Sequence, residues 1–72
     1  MNEYFIVNFY QKREVVINDT PSGYFTGDVI SIEPGTHTIS LAQPNDFSPS
    51  EQNINLSDTS PLSPEHINFV EV

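Results

Sequence analysis

Apolar residues recur at every second position along most of this chain, and clusters of Pro, Gly, Asn, Asp and Ser interrupt them at short intervals. A period of two belongs to a strand, whose side chains alternate between two faces, and not to a helix. The chain's six prolines work against long helices, because each removes a backbone donor and crowds the preceding turn. The reading is therefore all-β. Seven short runs fit it: residues 3–10, 14–17, 24–26, 28–33, 36–43, 51–56 and 66–72. Short strands with turns this frequent predict a small antiparallel β-sandwich, with a small β-barrel as the alternative.

The runs also predict faces. Phe5, Val7 and Phe9 share one side of the first strand, and Tyr4, Ile6 and Tyr10 share the other. A sandwich buries one face of each sheet, so the second set calls for another cover. The pair Pro34-Gly35 suits a type II turn with positive φ at the glycine. Read as a hairpin, it places Ile32 opposite His37 and Ile30 opposite Ile39, so that Ile30, Ile32, His37, Ile39 and Leu41 share one face. Gln52, Ile54 and Leu56 predict a further half-buried strand, and Ile67 and Phe69 the inner side of the last.

With 72 residues the chain is one domain, residues 1–72, and buries only about 60% of the surface its unfolded form exposes. Val, Ile, Leu and Phe supply 21 residues, enough for a modest core. There is no cysteine, hence no disulfide and no thiolate metal site. Ten carboxylates face two bases, the adjacent Lys12 and Arg13, for a formal net charge of −8. Such a surface repels phosphate backbones and anionic lipid heads, so neither nucleic acid nor membrane is expected as a partner. No apolar run reaches the ~18 residues of a membrane helix. Met1-Asn2-Glu3 carries no basic leader, which places the chain in the cytoplasm if Met1 is the native start; an excised domain would be extracytoplasmic.

Candidate chemistries are few. His37 and His66 stand far apart in sequence, and a zinc site needs three or four converging ligands. Asp19, Asp28, Asp46 and Asp58 lie in or beside loops, where calcium could find oxygens, but no Asp-x-Asp or EF-hand loop occurs and aspartate is an ordinary turn residue. The sequons Asn18-Asp19-Thr20 and Asn55-Leu56-Ser57 are tripeptides common by chance. No Gly-x-Ser-x-Gly elbow occurs. No enzyme activity, metal or cofactor is expected.

The stretch Val15–Tyr24, the segment Ile32-Glu33-Pro34-Gly35-Thr36-His37-Thr38-Ile39 and the segment Phe47–Ile54 resemble the PEGA domain, a small β-sandwich module, over residues 15–56. The resemblance implies a sandwich fold and a non-enzymatic role, and brings no catalytic residues with it. The expected function is an interaction or spacer module that binds another protein or weakly associates with itself through an edge strand. The first strand is the candidate: the outer face of that strand, Tyr4, Ile6 and Tyr10, together with the further surplus aromatics Tyr24 and Phe25, is the expected partner-binding set. The alternative is a small carbohydrate-binding β-sandwich, which would show exposed Tyr or Phe flanked by Asp, Asn or Gln at one loop end.

Overall fold

The computed structural model describes residues 2–72; Met1, on which the leader argument turns, lies outside them. Nine strands follow one another: β1 (Glu3–Asn8), β2 (Glu14–Ile17), β3 (Thr20–Phe25), β4 (Val29–Ile32), β5 (Gly35–Leu41), β6 (Phe47–Ser48), β7 (Gln52–Leu56), β8 (Glu65–Asn68) and β9 (Val70–Glu71). One sheet runs β4-β1-β8 and a second β3-β2-β5-β7, while β6 and β9 form a two-stranded flap. Among the described residues there is no helix, and so none long and apolar enough to cross a membrane.

The two sheets face each other across one core. Phe5 and Val7 of β1, Ile30 of β4 and Ile67 of β8 point into it from one side. Val15 of β2, Ile39 and Leu41 of β5 and Leu56 of β7 meet them from the other. Directly opposed pairs Phe5–Ile30, Val7–Ile67 and Val15–Leu41 put buried side chains on shared faces, as the alternating pattern predicts.

The β-sandwich architecture holds, with nine strands rather than seven because short β6 and β9 pair with each other. Not every pair is antiparallel: β8 runs parallel to β1, which the 57–64 loop makes possible by carrying the chain back to the starting end.

The Pro34-Gly35 connection differs from its expected form. Gly35 has φ of 115°, as a turn glycine should, but β4 and β5 do not pair. β4 pairs with β1 and β5 with β2 and β7, so the chain arches from one sheet to the other. Ile30, Ile39 and Leu41 are buried together all the same, and Ile32 is half-buried. Alternation reports which side chains point inward, and an arch and a hairpin both satisfy it. A Pro-Gly type II turn also has the wrong twist for a tight hairpin, which favours the arch.

A true two-residue hairpin sits two connections earlier, between β2 and β3. Asn18 and Asp19 have φ of 51° and 64°, and Ile17 pairs with Thr20 across them. The third strand therefore begins at Thr20, inside what reads as a turn cluster. Asn18 anchors this turn to β5, since its backbone N–H donates to the Thr38 carbonyl at 2.8 Å and its Oδ1 accepts from the Thr38 N–H at 2.9 Å.

Candidate functional site

β1 runs from one end of the sandwich to the other, and the two ends are built differently. At its C-terminal end lies the cluster Phe9, Phe47 and Phe69, with ring centroids 6.3 and 5.6 Å apart in edge-to-face contact. Over it sits Arg13, only 8% exposed. Its guanidinium lies 5.4 Å from the Phe9 ring and donates to both carboxylate oxygens of Asp46, at 3.0 and 3.1 Å. The same group donates to the Ala42 and Pro44 carbonyls at 3.1 and 3.0 Å. A buried cation needs this many acceptors to offset its lost hydration. The hydrogen bonds from Arg13 hold the Asp46 carboxyl below its ordinary value, and donating to Asp46 raises the guanidinium above its own. Asp46 is thus a structural counter-ion and not a spare loop carboxylate.

The loop carrying Arg13 is fastened to the β3–β4 turn by Thr26. Its hydroxyl donates to the Gln11 carbonyl at 2.9 Å and accepts the Arg13 N–H at 3.0 Å, while its own N–H donates to the Arg13 carbonyl at 2.9 Å. Between the two segments lies an open depression of about 330 Å³, lined by residues 8–12 with Thr26 and Gly27. Tyr10 stands in its wall, 57% exposed. Loss of hydration, with the nearby Glu71 and Asp46 carboxylates, raises its phenol above the ordinary value. Lys12 also lines the depression, with its Nζ 4.8 Å from the centre of the Phe25 ring. Of the chain's two basic side chains, Lys12 is the one with no carboxylate partner among the described residues.

The five expected partner-binding residues therefore divide. Tyr10 lines the depression and Phe25 adjoins it through Lys12. Tyr4 and Ile6 lie half-buried on the outer face of their sheet, level with Ser31 and Val29 of β4, and Ile6 also stands beside His66 of β8. Tyr24 is exposed on β3.

β1 is not an edge strand, which corrects the expected mode of binding: β4 and β8 pair with it on both sides, so its backbone is closed to an incoming strand. Its place was hidden because the β8 partner lies some 60 residues away in the chain. Tyr24 and Phe25 do lie on an edge strand, but that edge is blunted. The N–H groups of Gly23, Tyr24 and Phe25 are taken by Glu14 Oε2, Ser22 Oγ and Asp28 Oδ2 at 3.0, 3.1 and 2.9 Å, and Pro21 has none to offer.

The two histidines are held apart. His37 is buried and bonded to Asn18 Nδ2 at 3.1 Å and the Glu33 carbonyl at 2.8 Å, whereas His66 is exposed beside the Asn8 amide at 3.1 Å. Among the described residues no three His, Asp or Glu side chains converge as metal ligands would. Asp28 caps the Phe25 N–H, and Asp58, like Asp19, adopts positive φ, as turn residues do.

At the other end of β1, Glu3 is buried and its carboxylate accepts from the Thr59 N–H and hydroxyl at 2.8 and 2.6 Å. These bonds hold Glu3 below its ordinary value. The Thr59 hydroxyl oxygen in turn accepts the Tyr4 N–H at 2.6 Å, so the 57–64 loop is pinned to β1.

Compared with known protein families, curated proteins and solved structures, the chain matches none.

Proposed function

We propose that this domain is a non-enzymatic interaction module that holds a partner protein, or a second copy of itself, in the depression beside Tyr10. One observation carries the reading: a more than half-exposed aromatic and Lys12, a base with no carboxylate partner among the described residues, share a depression whose two sides Thr26 fastens together. A surface fixed before binding loses little entropy on contact, and aromatic anchors dominate the energetics of protein interfaces. The polar groups of the depression are amides, hydroxyls and one ammonium, a set suited to holding a ligand. The PEGA-like stretch over residues 15–56 supports the same non-enzymatic role.

Panning a displayed random-peptide library against the wild type and Tyr10→Ser tests it. The wild type should enrich a consensus whose binding falls about tenfold or more in the variant, with folding retained. No enrichment, or enrichment indifferent to Tyr10→Ser, would overturn it.

A second reading, a carbohydrate site, is favoured by Asn8 and Gln11 flanking the Tyr10 ring in the same depression. Amide shifts confined to residues 8–12 on titration with oligosaccharides, with no peptide consensus, would select it.

A further inference from the structure

The 57–64 loop presents an apolar side chain with unusual completeness. Leu62 is 96% exposed, more than any other large apolar residue of the described chain. A single exposed leucine is ordinary on a loop; this one stands on a rigid turn. The Ser63 N–H donates to the Ser60 carbonyl at 3.0 Å, the Ser60 N–H returns to the Ser63 carbonyl at 3.3 Å, and Pro61 fixes φ at the turn's second position. Thr59 bolts the base of the turn to Glu3 and Tyr4. The leucine is therefore held out in water at little further entropic cost on binding. Asp58 lies within the loop and Glu65 directly follows it, so two exposed carboxylates stand within four residues of the leucine in sequence.

The depression complements it. Its wall carries Phe9 and Tyr10, and it holds Lys12. Its volume of about 330 Å³ is at the lower limit for ligand sites, which suits one inserted side chain. The two features sit at opposite ends of β1: Thr59 is bonded at Glu3 and Tyr4, and the depression begins at Asn8. Apolar tip and depression, the carboxylates beside the one and Lys12 at the other, thus lie at opposite ends of β1.

We infer that the occupant of the depression is Leu62 of a second copy of this chain, an inference that rests on the reading of the depression as a binding site. Such a contact is heterologous: each copy uses one end to give and the other to receive, so association continues into open chains or closes as a ring. The net charge of −8 on each copy opposes the approach at low ionic strength, and salt relieves that long-range term while the desolvated leucine contact persists. The association is accordingly weak in dilute buffer and stronger at physiological ionic strength.

The test uses sedimentation equilibrium of the wild type, Leu62→Asp and Tyr10→Ser up to millimolar concentration at physiological ionic strength. The wild type should gain mass with concentration beyond a dimer. Both variants should be monomeric over the same range, their association weakened about tenfold or more, while amide spectra show each still folded; Leu62→Asp should keep the wild-type melting temperature, and Tyr10→Ser gives up a ring packed 4.7 Å from Phe9. Mixing then decides the geometry. Isotope-labelled Leu62→Asp keeps an intact depression, and unlabelled Tyr10→Ser keeps an intact tip. Together they should form a one-to-one complex, with amide shifts at residues 8–12, Thr26 and Gly27 of the labelled partner. A wild type that stays monomeric, association indifferent to Leu62→Asp, or a mixture that shows no complex would each overturn the inference. If any of these occurs while peptide panning still depends on Tyr10, the depression serves a different protein and only self-occupancy falls. If panning fails as well, the binding reading falls with it.

Discussion

The two ends of β1 solve the same problem, closing a small sandwich, with different chemistry. At the Asn8 end the closure is apolar and ionic: three phenylalanine rings and the buried Arg13 paired with a half-buried Asp46 lock the loops at 9–13 and 42–46. At the Glu3 end it is a handful of hydrogen bonds through Thr59, and the loop beyond offers its one leucine to solvent. The first end stabilises the domain and shapes a depression as a by-product. The second contributes little burial and is free to project. A chain with no disulfide concentrates its stability in this way because a core this small cannot supply it at both ends.

Substitutions at the two ends should separate accordingly. Phe47 is buried in the flap at the Asn8 end, and Phe47→Ala should cost about 3–5 kcal/mol in denaturant unfolding, enough to unfold much of the population. A cost similar to that of a surface change would mean that the aromatic cluster is not the main closure. Arg13→Met should come next, because it leaves the Asp46 carboxylate without its partner at a water-poor site. The double change Arg13→Met with Asp46→Leu should recover most of the lost melting temperature, and failure to do so would show that the carbonyl contacts to Ala42 and Pro44 carry the lock instead.

Acid sharpens the contrast at the other end. Glu3 is held below its ordinary value of 4.5 by its bonds from Thr59. A carboxylate whose folded value is lowered adds stability that is fully present above the unfolded value and lost as pH falls through the folded one. The difference in melting temperature between wild type and Glu3→Gln should therefore be constant above about pH 5 and close below pH 4.5. A difference that persists unchanged in acid would mean that Glu3 acts by packing alone. Leu62→Ala should have the smallest effect, within about 0.5 kcal/mol of wild type by chemical denaturation. A larger loss would show that the leucine already covers part of its own chain.

The candidate site was partly legible. Tyr10 and Phe25 stand out as aromatics in excess of two core faces; Tyr10 lines the depression and Phe25 adjoins it through Lys12. Tyr4 and Ile6 stand out as apolar groups on the second face of the first strand, and they lie on the outer face of a sheet whose middle strand is their own. Arg13 stands beside Lys12 between two strand runs, with no alternation to mark it as buried. The available signal was its scarcity: one arginine among ten carboxylates has partners to choose from wherever the chain folds. Leu62 gave no signal, since an isolated leucine between prolines and serines has no period to belong to.

By itself, then, the sequence determined the local facts that depend on neighbouring residues. Period-two alternation determined strands and their inward sides, so Phe5, Val7, Ile30, Ile39, Leu41, Leu56 and Ile67 are buried as the pattern requires. Gly35 determined a positive φ, since only glycine adopts it without strain. What the tertiary structure decided is which strand lies beside which. Alternation is identical whether a strand's neighbour belongs to its own sheet or to the facing one. The arch at Pro34-Gly35, the parallel β1–β8 pair and the closed position of β1 thus follow from packing a small core from both sides at once, a condition that no short stretch of residues contains.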